Sequence, residues 1–178
     1  FSSDGGRNWS DSHRIGDPGF WLWRSQWHNG VCYSMGYDTN RDRSKRTARF
    51  YRSGDGKSYE ALIPKLNLDN GVGEDAILFD DDGSALCLFR HETGDKMAFL
   101  GRSKPPYDQW TWKRLNVRIG GPNMRRLPDG RIIAATRLYD GKTRTSLSWL
   151  DPDKETLTEC LTLPSGGDTS YPGMVWKD

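Results

Sequence analysis

Ser2-Ser3-Asp4-Gly5-Gly6-Arg7-Asn8-Trp9 decides the reading of this 178-residue chain, because the chain says it again. Ser53-Gly54-Asp55-Gly56-Lys57-Ser58-Tyr59 is a copy one residue shorter. Ser103-Lys104-Pro105-Pro106-Tyr107-Asp108-Gln109-Trp110 keeps the two ends, and Ser148-Trp149-Leu150-Asp151-Pro152 keeps the serine and an aspartate. The four serines lie 51, 50 and 45 residues apart. A second mark runs in parallel: Asp82-Gly83 and Asp129-Gly130 are 47 apart, and Asp178 falls 49 further on. The phrase has the chemistry of a hairpin turn. Serine ends one strand, aspartate bonds the turn amides, glycine takes a positive φ, and the aromatic opens the return strand. A period of about 50 residues built from short strands is the mark of a β-propeller blade.

The chain in order fits that unit. Phe20–Arg24 and Val31–Tyr37 read as strands around His28-Asn29-Gly30, and Thr47–Arg52 as a third. Asp38–Arg46 between them is polar and reads as a solvated loop tip. Glu74–Phe79, Ser84–Arg90, Lys96–Arg102 and Trp110–Val117 form the next set. Asn123–Leu127, Arg131–Arg137, Thr143–Trp149 and Thr156–Leu163 form another, and Tyr171–Trp176 begins one more. No helix of normal length is expected, since Gly and Pro are too frequent and the apolar residues alternate or run in fives. The expectation is an all-β, partial propeller of roughly three and a half blades. Its repeats divide at 1–60, 61–112, 113–163 and 164–178. A propeller closes only on whole blades, so the sequence reads as a piece of a longer protein, or as one that self-associates through open sheet edges.

Composition narrows the function classes. Charge is dense but balanced at +2, which gives no reason for a nucleic-acid or membrane-surface partner, and no apolar run is long enough for a membrane span. Eight Trp, seven Tyr and six Phe suit blade cores and also sugar stacking. Cys32, Cys87 and Cys160 are odd in number and widely spaced, so they do not read as a disulfide framework. Three scattered histidines give no metal site, and no cofactor motif is present.

The repeat also yields a geometry. Glu74 lies eight residues before Asp82 and Arg90 eight after it, so equal steps down and back bring both to one rim. Arg137 lies eight after Asp129, and Tyr171 heads the stretch seven before Asp178. Glu74, Arg90, Arg137 and Tyr171 are therefore expected to converge near the central axis. Two arginines ending apolar strands and facing one centre suit a carboxylate clamp. Snorkelling or pairing with a neighbouring acid is the plainer alternative. Arg24, closing Trp21-Leu22-Trp23, is a candidate third cation, although its register differs. Arg118, in Arg118-Ile119-Gly120-Gly121-Pro122-Asn123, competes with Arg137, and Asn123 joins the candidate binding set.

On these residues the chain resembles the sialidase (neuraminidase) family, with its Asp-box repeats. The likeness rests on the phrases at Ser2–Trp9 and Ser53–Tyr59 and on Gly73-Glu74 with Arg90 sixteen residues on. Arg137 and the stretch Gly167-Asp168-Thr169-Ser170-Tyr171-Pro172-Gly173-Met174 complete it. The resemblance implies a six-bladed propeller when complete, a glycoside hydrolase that removes terminal sialic acid or a related acidic sugar, and a secreted or periplasmic protein. It makes Tyr171 the nucleophile, Glu74 its general base, and Arg90 and Arg137 two members of an arginine triad on the substrate carboxylate. A neutral tyrosine suits an anomeric carbon that already bears a carboxylate, and sialidases are known exceptions to the two-carboxylate rule. The family's first triad arginine and its aspartate acid lie ahead of the first box. Asp17 and Asp75 are the possible stand-ins here, neither in the family's context. Two further readings stand beside the enzyme: a propeller that binds an acidic glycan without cleaving it, and a scaffold with no glycan role.

Overall fold

The computed structural model describes residues 1–175; Trp176 and the mark at Asp178 lie outside the described residues. Three four-stranded antiparallel sheets follow one another along the chain. The first holds β1 (Phe20–His28), β2 (Val31–Asp38), β3 (Ala48–Ser53) and β4 (Glu60–Ile63). The second holds β5 (Val72–Phe79), β6 (Ala85–His91), β7 (Phe99–Ser103) and β8 (Thr111–Arg114). The third holds β9 (Ile119–Arg126), β10 (Ile132–Leu138), β11 (Arg144–Asp151) and β12 (Thr156–Leu163). Within each sheet the strands lie in chain order. The first strands meet: β1 packs on β5, and β5 on β9. This is a partial β-propeller. Among the described residues the helical content is one 3-10 turn, Arg43–Lys45, and no helix is long and apolar enough to cross a membrane.

The core explains why β6 reads as an unbroken apolar run. Ala85, Cys87 and Phe89 pack toward the first sheet, with Tyr33, Met35, Phe50 and Trp110. Leu86 and Leu88 pack toward the third, with Ile119, Met124, Ile132 and Leu150. A strand covered on both faces has no solvent face on which to place polar residues.

The Asp phrases do their expected work in the first two copies. Asp4 Oδ1 accepts from the amides of Arg7 and Asn8, and Ser2 Oγ from the amide of Gly6. Asp55 Oδ1 accepts from Lys57 and Ser58, at 2.7 and 2.9 Å, and Ser53 Oγ from Gly56. The second and third phrases join the third strand of a sheet to its fourth. The fourth phrase departs from expectation. Ser148 lies inside β11, fully buried, and Asp151 alone holds the turn by accepting from Asp153 and Lys154. The segment at Tyr171 departs too, for no strand is present from Pro164 to Val175. Ser170 and Tyr171 take positive φ (79° and 73°) and Pro172 has no amide hydrogen, so the segment cannot join a ladder. It is held instead by side chains on its carbonyls: Arg24 and Asn123 donate to Pro172 O, and Arg125 to Met174 O.

Candidate functional site

Each sheet carries a bulge in its first strand. In β1 the pairing steps from Leu22–Gly36 to Arg24–Met35, leaving Trp23 as the extra residue. In β5 it steps from Val72–His91 to Asp75–Phe89, so Gly73 and Glu74 together oppose Arg90. In β9 it steps from Gly120–Arg137 to Asn123–Ala135, so Gly121 and Pro122 oppose Thr136. A bulge bends its strand and re-aims the side chain it carries. Here the bulges of β1 and β5 border one cavity of about 660 Å³, and Arg137, paired with Gly120 beside the β9 bulge, reaches it from the third sheet.

Glu74, Arg90, Arg137 and Tyr171 all line that cavity. Arg90 is 8 % exposed and bracketed by acids: both Glu74 oxygens accept from Nη1 at 2.9 and 2.8 Å, and Glu92 accepts from Nε. Burial opposes the Arg90 charge, but the flanking Glu74 and Glu92 more than offset it, so the guanidinium is held above its ordinary value. Burial alone would raise Glu92; Arg90 and Arg118 together pull it below its usual range. Arg137 uses all three nitrogens, donating from Nε to Thr169 O, from Nη1 to Tyr139 Oη and from Nη2 to Asp168 Oδ1. The Tyr171 hydroxyl donates to the same Asp168 oxygen at 3.0 Å, and the Arg137 guanidinium lies 5.1 Å from the Tyr171 ring centre. That hydroxyl bond, and then Arg137, hold the Asp168 carboxyl below its usual range. Glu74 thus faces Arg90, and the bonded acceptor of the Tyr171 proton is Asp168.

Tyr171 is positioned from below. Its backbone nitrogen and ring rest on Gly121, where an added Cβ would stand 2.7 Å from Cδ1 and 3.0 Å from N. Ser170 Oγ also donates to Gly121 O. Gly121 itself has φ +50°, a conformation glycine adopts without penalty.

Arg24, Arg118 and Asn123 do not line this cavity. Trp23 takes the cavity-facing place at its bulge, and Arg24 turns to the neighbouring space with Asn123. There Arg24 donates to Pro122 O at 3.1 Å and to Pro172 O at 2.9 Å. Arg118 donates to Glu92 and lies over the Tyr139 ring. Neither possible stand-in acid lines the cavity. Asp17 accepts from Arg49 and the Tyr51 hydroxyl. Asp75 is fully buried with neither oxygen hydrogen-bonded among the described residues; burial pushes it well above its usual value, against the attraction of Arg24.

Several lining residues were not reached from sequence: Trp21, Trp23, Tyr37, Arg43, Arg46, Glu92 and Asp168. Glu92 could have been found, since it stands two residues after Arg90 and strand side chains repeat every second position. The two loop arginines had no periodic signal.

No family model matches the sequence, and no curated protein matches it either. Solved structures do match in fold. A protein of unknown function from Dyadobacter fermentans superposes with a TM-score of 0.78 at 19% identity, over 94% of this chain and 52% of that one. A xylan β-1,4-xylosidase from Bacillus halodurans gives 0.64 at 16%, over 93% and 37%. An exo-β-1,3-galactanase from Clostridium thermocellum gives 0.57 at 18%, over 88% and 39%. The chain thus spans about half the length of the first of these and less of the others. Two of the three are glycoside hydrolases and none is described as a sialidase; at these identities the likeness establishes a shared propeller-type fold.

Proposed function

We propose that the cavity is the sugar site of a glycoside hydrolase of the sialidase type, acting on a terminal sialic acid or a related acidic sugar. The observation that supports it is the company Tyr171 keeps: a tyrosine held by a carboxylate, beside two buried arginines and two further acids, where three blades meet. In this reading the Tyr171 oxygen attacks the anomeric carbon as the glycosidic C–O bond breaks. Its proton passes to a carboxylate. The resemblance gives that role to Glu74, while Asp168 orients the hydroxyl. By the same resemblance the leaving oxygen takes its proton from an aspartate ahead of the first box. Water then cleaves the tyrosyl–sugar bond with retention. Arg90 and Arg137 hold the substrate carboxylate and favour the developing charge.

A second reading is binding of an acidic glycan without cleavage, which the arginines and aromatic rings of the same cavity would serve equally. The deciding experiment is release of fluorophore from a 4-methylumbelliferyl sialoside by the full-length gene product, with Tyr171→Phe, Glu74→Gln and Asp168→Asn alongside. Turnover lost in Tyr171→Phe supports the mechanism, and the greater loss of kcat between the two acid variants identifies the base. Wild-type turnover in Tyr171→Phe would sink it. Saturable binding with no turnover would favour the second reading.

A further inference from the structure

The cavity has a second charged region that the proposed chemistry leaves unused. From Tyr171 an aromatic strip runs along the cavity wall: Trp23 lies 5.4 Å from Tyr171, Trp21 5.6 Å from Trp23, and Tyr37 6.1 Å from Trp21, ring centre to ring centre. Trp21 is 55% exposed although it lines the cavity, so part of its side chain is open to a ligand there. At the far end of the strip the Arg46 guanidinium lies 5.5 Å from the Tyr37 ring centre. Arg43, from the same loop, lines the cavity beside it.

These two arginines differ from the deep pair. Arg90 meets two carboxylates and Arg137 one. Among the described residues Arg43 and Arg46 meet none; the Arg46 side chain donates from Nε to Asn40 O. The lining therefore holds four arginines against Glu74, Glu92 and Asp168, and the surplus positive charge sits on the loop arginines. An arginine fork free of carboxylate and next to an aromatic face suits an anionic group on a sugar ring.

We propose that Trp21, Arg43 and Arg46 form a second subsite that takes a sugar adjoining the one over Tyr171, and that this second sugar carries its own anionic group, a carboxylate or a sulfate. The proposal rests on the glycan reading of the cavity. It makes the ligand at least a doubly charged oligosaccharide, its inner unit stacked on Trp21 and its acid on the loop pair.

Calorimetric titration of the full-length protein with three probes tests it: 3′-sialyllactose, an α2,8-disialyl lactoside, and a 6-sulfated sialyllactosamine. The doubly anionic probes should bind about tenfold more tightly than sialyllactose, the gain expected of two partly exposed ion pairs. Preference for the disialyl probe assigns a carboxylate subsite, and preference for the sulfated probe a sulfate subsite. Arg43→Gln/Arg46→Gln should abolish the difference while leaving sialyllactose affinity and thermal stability unchanged. Arg43→Lys/Arg46→Lys should restore part of it. Equal affinity for all three probes, or an advantage that survives the double Gln variant, overturns the proposal, and so does failure of every probe to bind. Charge-dependent binding of the doubly anionic probes without any turnover of the sialoside would leave the subsite standing while the hydrolase reading falls.

Discussion

Replacing Gly121 by alanine is the sharpest probe of how Tyr171 is held. Two costs follow from the structure. First, the residue sits at φ +50°, where a Cβ costs about 1–2 kcal/mol. For a domain of this size that lowers Tm by roughly 2–8 °C. Second, the new methyl would stand 2.7 Å from Tyr171 Cδ1 and 3.0 Å from its backbone nitrogen. The half-exposed ring can swing aside, but the backbone nitrogen cannot, because Pro172 O is tied by Arg24 and Asn123. The hydroxyl therefore leaves its place on Asp168. A nucleophile displaced by about 1 Å loses on the order of 10²-fold in rate. The assay pairs a thermal melt with sialoside kinetics, and Gly166→Ala serves as control, since its Cβ would meet nothing within 4 Å and its φ is not positive. Gly121→Ala should lose kcat far beyond what its melt accounts for, and Gly166→Ala should change neither. Wild-type kcat in Gly121→Ala would refute the claim that this cradle sets the reacting oxygen.

Arg90→Met leaves Glu74 without its counter-charge in a site where both side chains are about a tenth exposed, so Tm should fall by roughly 10 °C or more; Arg137→Met should cost less in the same melt, because Asp168 is 80% exposed and can hydrate. Asn123→Ala removes one of two donors to Pro172 O and should lower kcat with little change in KM, which separates positioning from binding in steady-state kinetics. Asp75 is raised by burial, so the folded protein keeps a proton there that the unfolded chain releases above pH about 3.8. Stability is then lost as pH rises from that value through the folded value, and Asp75→Asn should melt higher than wild type at pH 7–8, with the advantage shrinking toward pH 4; a constant difference across a pH series of melts would refute the raised value, and a reversed trend would show an ionised Asp75 paired with Arg24. Asp168→Ala frees a guanidinium nitrogen of Arg137 and unties Tyr171, so KM for an acidic sugar should fall while kcat falls too.

The fold was legible because turns are encoded locally. Asn29-Gly30, Asp82-Gly83 and Asp129-Gly130 each close the first hairpin of a sheet, and every one of these glycines has a positive φ. The continuous apolar run Leu86–Phe89 read as a strand, and the structure covers both of its faces. The site was only partly legible, and the bulges say why. Counting residues back from a turn assumes an unbroken register, and the register breaks at Trp23, at Gly73-Glu74 and at Gly121-Pro122. One extra residue was enough to send Arg24 away from the cavity. Arg43 and Arg46 were read as solvated because a polar loop looks the same in sequence whether it faces water or leans over a cavity; only the packing of β1 and β2 against β5 decides it.

The ion pairs also rank the arginines by what a ligand can displace. Glu74 and Glu92 are held close to Arg90, their side chains 11% and 8% exposed, and driving either away would strand a charge in a poorly hydrated place. Asp168 is different, because its carboxylate already lies mostly in water and can hydrate fully if it leaves Arg137. A sugar carboxylate entering the cavity would therefore exchange with Asp168 at Arg137, while Arg90 keeps its acids and can offer at most the nitrogen they do not use. In the proposed reading Arg137 would then make the stronger of the two contacts to the substrate carboxylate, and Arg90 the weaker.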